Sequence, residues 1–113
     1  MKYYAHEQIA HPNFGIAIHR QDGALITGPN TNSANLELPE VLGEGVVTYT
    51  IPYLPLLEGL YQFSVAVVNE HDTETFDYHD RPYPFRVINR GGEIKEQYGL
   101  VTLRGEWQHI ASI

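Results

Sequence analysis

The 113 residues suffice for one domain, and 42% hydrophobic and 12% aromatic residues are typical of a folded protein. The absence of cysteine excludes disulfides, thiolate catalysis and cysteine-ligated zinc. The formal net charge of −7 argues against DNA, RNA or an anionic membrane as a partner, whereas neutral partners such as sugars meet no such repulsion.

The first residues lack the apolar segment of a signal peptide, and no apolar run approaches the roughly 20 residues of a membrane helix. Residues 1–6 instead have the pattern of an interrupted strand. We therefore expect residues 1–113 to form a single β-sandwich domain that is excised from a longer chain or, relative to related domains, truncated at its N-terminus.

Short alternating segments separated by turn residues predict strands along most of the chain. Phe14, Ile16 and Ile18 alternate with smaller or polar residues, and the turn at residues 21–23 leads into a return strand. Pro39 favours a turn or loop over residues 36–43. The predicted strands cover residues 14–19, 24–27, 45–51, 60–69, 73–78, 83–89 and 100–104. This pattern predicts an all-β fold, a two-layer antiparallel β-sandwich of the jelly-roll or immunoglobulin-like type.

A leucine, a glycine turn and a tyrosine that opens a long alternating strand occur at residues 55–61. This arrangement is typical of the tyrosine corner of Greek-key sandwiches. We therefore expect the Tyr61 ring to pack in the core while its hydroxyl group bonds to nearby backbone.

Motifs for nucleotide binding and for a serine-hydrolase elbow are missing from the sequence. Two His-Asp pairs, at residues 71–72 and 79–80, contain potential metal ligands, but no H-x-H or H-E-x-x-H spacing joins them. We expect no metal and no cofactor. A metal-dependent enzyme, or a glycosidase with two carboxylates across a cleft, stays open as a minor alternative.

The strand alternation also assigns residues to the outer surface of the sheet. If the apolar residues of the predicted strands point inward, then His19, Gln62 and Ser64 point outward together with Ala17 and Ala66. Polar side chains can hydrogen-bond sugar hydroxyls, and small neighbours let a ligand approach. An ordinary solvated sheet surface gives nearly the same pattern.

The order of these landmarks resembles the C-terminal carbohydrate-binding domain of Wzt, the ATP-binding subunit of O-antigen ABC exporters. The resemblance spans residues 4–107, and its specificity lies in the order and spacing of the segments. These are residues 14–18, 22–23, 31–32, 46–51, 59–61, 77–87 and 99–101, and Trp107.

The resemblance implies a non-enzymatic domain that binds finished O-antigen polysaccharide, a component of lipopolysaccharide. It also implies that this binding engages the polysaccharide for export, at the inner face of the cytoplasmic membrane. The ATPase domain of such transporters is not part of this sequence. The resemblance also implies a homodimer, in which a terminal segment such as residues 108–113 pairs with a neighbour. An immunoglobulin-like protein-interaction or dimerisation module is the alternative.

The family has no motif that assigns ligand residues, so the candidate site is a geometric prediction. The predicted carbohydrate-binding residues are His19, Gln62, Ser64 and Arg86 on outward strand faces, with Tyr4 and His6 adjacent. Trp107 is a candidate for stacking on a sugar or for a place in the core or an interface.

Overall fold

A computed structural model describes residues 1–92 and 94–111, and every regular element in them is a β-strand. The six strands are β1 (Lys2–Ala10), β2 (Asn13–Arg20), β3 (Leu25–Thr27), β4 (Glu40–Val46), β5 (Gly59–Val68) and β6 (Thr75–Val87). β1 and β4 form one antiparallel sheet, and the other has the order β3-β2-β5-β6. The two sheets pack together, so the predicted two-layer antiparallel β-sandwich is confirmed.

The core lies on one face of the four-stranded sheet, which we call the inner face. Ile18 and Tyr61, each 2% exposed, are buried there with Leu56 from the segment before β5. Phe63 and Phe85 stack with ring centroids 4.5 Å apart and extend this cluster. Burial of each side chain of this size stabilises the fold by about 1.5–3 kcal/mol. The core lies on the face that the alternation in β2 and β5 predicted.

The tyrosine corner predicted at Tyr61 is present. The Tyr61 hydroxyl group donates a hydrogen bond to the backbone oxygen of Leu57 at 2.5 Å, and the ring stacks on Phe85 with centroids 5.4 Å apart. Burial raises the pKa of this hydroxyl above its ordinary value, while the positive charge of Arg20 opposes the rise. The corner therefore fastens the segment before β5 to the core.

The smaller sheet meets the larger one through aromatic side chains. Tyr3 of β1 packs against Phe14 of β2, with ring centroids 5.2 Å apart. Gly45 stands opposite Tyr3 in the β1–β4 pair, and a Cβ atom at that position would overlap the Tyr3 ring. Because Gly45 has no side chain, the Tyr3 ring can lie against the backbone of β4.

The predicted strands differ from the structure at four places. β1 (Lys2–Ala10) is missing from the predicted strands, although residues 1–6 were expected to be an interrupted one. β4 occupies Glu40–Val46, where a loop followed by a later strand was expected, because its backbone pairs with β1. The two strands predicted at residues 73–78 and 83–89 form a single long strand, β6. In residues 100–104 only one isolated bridge occurs, between Leu56 and Val101.

β6 continues through an irregular step in its middle. Phe63 of β5 pairs with Tyr83 and Val65 pairs with His79, so residues 80–82 all lie opposite Ser64. Two extra residues are thus accommodated in a β-bulge, which bends a strand locally. β6 is the last strand of its sheet and contains Pro82 and Pro84, which lack the N–H group that an inner strand needs.

Candidate functional site

Three of the predicted site residues share the face of the four-stranded sheet opposite the core, which we call the outer face. His19 and Gln62 are directly paired across β2 and β5. Arg86 pairs with Leu60, two residues before Gln62, and so projects on the same side from β6. His19 and Gln62 are partly exposed and Arg86 is exposed. The structure therefore brings an imidazole, an amide and a guanidinium group onto one surface.

The expectation that Ser64 is exposed on this surface is wrong. Ser64 is only 2% exposed, and its hydroxyl oxygen accepts a hydrogen bond from the backbone N–H of Arg81 at 2.8 Å. The side chain has the predicted direction, but the bulge of β6 lies against it. Ser64 is thus positioned to support the bulge.

Tyr4 and His6 lie on the other sheet, apart from the outer face. Both belong to β1, and their rings are in contact at a centroid distance of 4.8 Å. Tyr4 is 60% exposed and pairs with Glu44 of β4. The structure therefore places Tyr4 and His6 in a different sheet from His19, Gln62 and Arg86, to which they were expected to be adjacent.

The bulge adds charged groups to the outer face that the sequence analysis did not select. Arg81 donates to the Asp80 carboxylate from Nε at 2.9 Å and from Nη2 at 3.3 Å. The Tyr78 hydroxyl group donates to the same carboxylate at 3.3 Å. The hydrogen bond from Arg81, more than its charge or the Tyr78 hydroxyl, holds the pKa of Asp80 below its ordinary value, and nearby His19 adds a smaller effect.

Arg81 has a left-handed backbone conformation, with φ of 58°. For a residue with a side chain this conformation is unfavourable by about 1–2 kcal/mol. A non-glycine residue with a left-handed backbone is unusual, and sequence patterns do not reveal it. The sequence signal for the bulge was the Asp-Arg-Pro order at residues 80–82 within a β-rich segment.

One nitrogen atom beneath this surface lacks a partner. Nδ1 of His19 is buried and has no hydrogen-bond partner among the described residues. Buried polar atoms are normally paired, and an unpaired one deserves an explanation. His19 therefore has a ring nitrogen at the outer face that could still form a hydrogen bond.

A second group of polar side chains lies toward the inner side of β6. His79 contacts the Tyr83 hydroxyl group through Nδ1 at 2.6 Å and the Asp77 carboxylate through Nε2 at 3.4 Å. Asp77 and His79 line a cleft of about 650 Å³ beside β1. In residues 1–92 and 94–111 no three His, Cys, Asp or Glu side chains converge as a metal site would require.

The large apolar side chains of the C-terminal segment are exposed. Leu103 is 88% exposed, Ile110 is 79% exposed and Trp107 is fully exposed. Trp107 is therefore not a core residue. Of the terminal residues predicted to pair with a neighbour, 108–111 are described without regular secondary structure, and 112 and 113 lie outside the described residues.

These features define a β-sandwich domain with a polar, partly exposed sheet face and a buried aromatic core. The chain belongs to the Wzt C-terminal domain family, whose family model matches residues 1–103. The resemblance noted in the sequence is thereby confirmed. A search of curated proteins finds no match.

A solved structure supports the fold. It is described as the crystal structure of the C-terminal domain of Wzt, and the likeness covers 97% of this chain and 67% of that chain with a TM-score of 0.83. The identity is 18%, so this likeness establishes the architecture. Membership of the family places the chain among the components of polysaccharide ABC exporters, in the domain that is not the ATPase. The described residues include no helix with the length and apolar character of a membrane span.

Proposed function

We propose that the chain binds a bacterial O-antigen-type polysaccharide without cleaving it, and that this binding couples recognition of the finished glycan to export. The observation that carries the proposal is the direct pairing of His19 with Gln62 on the outer face, beside Arg86. The core occupies the inner face of the same sheet, so the fold does not need these three side chains for packing.

The chemistry of the outer face suits a neutral glycan. An amide both donates and accepts hydrogen bonds, a guanidinium donates several, and an imidazole does either according to its protonation. Sugar hydroxyl groups need both donors and acceptors. The small residue Ala17, next to His19 on β2, leaves room for a pyranose ring to approach.

The proposed setting is a longer protein that acts at the inner face of the cytoplasmic membrane as a transporter subunit, with residues 1–113 as its glycan-binding domain. In this setting the chain acts as a homodimer and binds no nucleic acid. The formal net charge of −7 supports the last point, because phosphate backbones attract basic surfaces.

Titration of the labelled protein with O-polysaccharide from the source bacterium tests this function. We expect NMR shifts at His19 and Gln62, and binding weakened by the substitutions His19→Ala, Gln62→Ala and Arg86→Ala. Glu74→Gln, at an exposed residue next to β6, is the control that keeps wild-type affinity. A wild-type protein that shows no shifts with millimolar polysaccharide would refute glycan binding.

A second candidate function is a dimerisation or docking module without glycan binding. The exposed apolar side chains of Leu103, Trp107 and Ile110 favour it, since unprotected groups of this kind mark interaction surfaces. Light scattering on a chain that ends at residue 102 separates the two candidates. Loss of the dimer with unchanged glycan binding supports two separate surfaces, whereas a dimer with no glycan binding by any variant supports the second candidate alone.

A further inference from the structure

The bulge of β6 is maintained by contacts outside the hydrophobic core. The Arg81 N–H group donates to the buried Ser64 hydroxyl group, and Arg81 retains its left-handed backbone conformation there. Backbone strain of this type persists only where surrounding contacts fix it, and bulges re-aim side chains near functional sites. The side chains that the bulge presents to solvent are therefore candidates for a functional role.

The bulge directs two charged side chains over the outer face. Tyr78 pairs with Ala66 and so lies on that face, and its hydroxyl group reaches the Asp80 carboxylate. Arg81 extends the other way, with Nη1 3.3 Å from the position that a Cβ atom on Gly23 would occupy. The guanidinium group thus reaches the turn between β2 and β3, and the two charges lie near His19 of β2.

The Asp80–Arg81 pair keeps unused hydrogen-bonding capacity. Arg81 uses Nε and Nη2 on Asp80, while its Nη1 has no hydrogen bond among the described residues. Oδ1 of Asp80 already accepts from Nε of Arg81 and from the Tyr78 hydroxyl group, whereas Oδ2 accepts one hydrogen bond from Nη2 and can accept another. About half of the Asp80 side chain (48%) and 41% of the Arg81 side chain stay exposed, so solvent and ligands reach the pair.

We propose that the Asp80–Arg81 pair is the subsite that selects a neutral hexopyranose through two adjacent hydroxyl groups. The Asp80 carboxylate accepts from one hydroxyl group, and Nη1 of Arg81 donates to the oxygen of its neighbour. This inference rests on the proposed glycan-binding function and deepens it by naming the selecting groups and the class of sugar.

The charges favour a neutral sugar over an acidic one. Arg81 is already neutralised by Asp80, and the chain as a whole carries a formal charge of −7. A uronic acid or a sugar phosphate at this point would lie beside the Asp80 carboxylate and be repelled. Hydroxyl groups meet no such repulsion, and they complement the fixed acceptor and donor.

The first test compares two aspartates of the same strand. Asp77 pairs with Val67 and so faces the inner side, where its carboxylate contacts His79 at 3.4 Å. Asp80→Asn and Asp77→Asn therefore make the same change of charge on opposite sides of β6. Calorimetry with O-polysaccharide from the source bacterium should show affinity reduced at least about ten-fold for Asp80→Asn and unchanged for Asp77→Asn.

Arg81→Lys keeps the positive charge but removes the planar fork, and we expect a loss of affinity similar to that of Asp80→Asn. If the wild type binds the polysaccharide and both outer-face variants bind equally well, the subsite is wrong while glycan binding stands. If the wild type does not bind, the proposed function fails and the subsite fails with it.

The second test uses the wild-type protein alone and so does not depend on the folding of a variant. Methyl mannopyranoside, methyl galactopyranoside and methyl glucopyranoside compete with the polysaccharide, each beside deoxy derivatives that lack one hydroxyl group of an adjacent pair. We expect at least one parent glycoside to compete and its relevant deoxy derivative to compete about ten-fold less well. Equal competition by every parent and deoxy sugar, or by none, would overturn the proposal.

Discussion

The hydroxyl group of Tyr61 donates to the backbone oxygen of Leu57, four residues earlier, across the glycine that begins β5. This bond ties the segment that supplies Leu56 and Leu57 to the central strand of the larger sheet. The arrangement joins two parts of the core that no strand pairing connects directly.

We predict that Tyr61→Phe destabilises the fold by about 1–2 kcal/mol, because the Leu57 carbonyl group would stay buried without its partner. The midpoint of urea unfolding measures the change. Tyr98→Phe is the control, since Tyr98 is 91% exposed and should leave the midpoint in place. Equal midpoints for all three proteins would show that the bond contributes nothing.

We predict that Gly45→Ala destabilises the contact between the two sheets by about 1–3 kcal/mol, because the new methyl group would displace the Tyr3 ring from β4 and from Phe14. Thermal unfolding and the NMR signals of the Phe14 ring report the change. Gly28→Ala provides the comparison, since its Cβ atom would meet the Ile16 oxygen at an ordinary 3.7 Å. A Gly45→Ala protein with unchanged stability would mean that Tyr3 moves freely.

Ser64→Ala should alter the bulge more than the core. The substitution removes the acceptor of the Arg81 N–H group, and we expect a loss of about 1 kcal/mol together with a changed environment of Arg81. Amide hydrogen exchange at Arg81 should accelerate, whereas exchange at Phe63 and Val65 should stay near wild type. Unaltered protection of the Arg81 amide would contradict this role of Ser64.

The Asp80–Arg81 ion pair should survive mild acid. The hydrogen bond from Arg81 lowers the pKa of Asp80 below 3.8, so the folded protein binds this proton less readily than the unfolded chain. The stabilising contribution is therefore complete above pH 3.8 and is lost as the pH falls through the lowered pKa. Carboxyl ¹³C titration measures that pKa, and in Arg81→Gln it should return toward 3.8.

Local sequence patterns account for the core better than for the site. The alternation around Ile18 and the glycine before Tyr61 are signals within a few residues, and both give the correct burial. β4 was missed because its strand character comes from pairing with β1, 30 or more residues earlier. Ser64 was misjudged for the same reason, since the bulge that covers it lies 16–18 residues later on β6.

In the candidate site, too, local patterns predict some features, while features that depend on distant residues were missed. Strand alternation correctly predicts that His19 and Gln62 share a face, because side chains along a strand alternate between the two faces with a period of two residues. It does not predict which sheet contains Tyr4 and His6. Nor does it predict the ion pair of Asp80 with Arg81, which depends on the two extra residues in the bulge.

The prolines of β6 also affect how copies of the domain can meet. Pro82 and Pro84 remove two amide donors from the strand that ends the four-stranded sheet, and the bulge interrupts its straight course. A further polypeptide strand would therefore meet an interrupted hydrogen-bonding edge there. An irregular edge of this kind disfavours strand pairing between copies of the domain along this side.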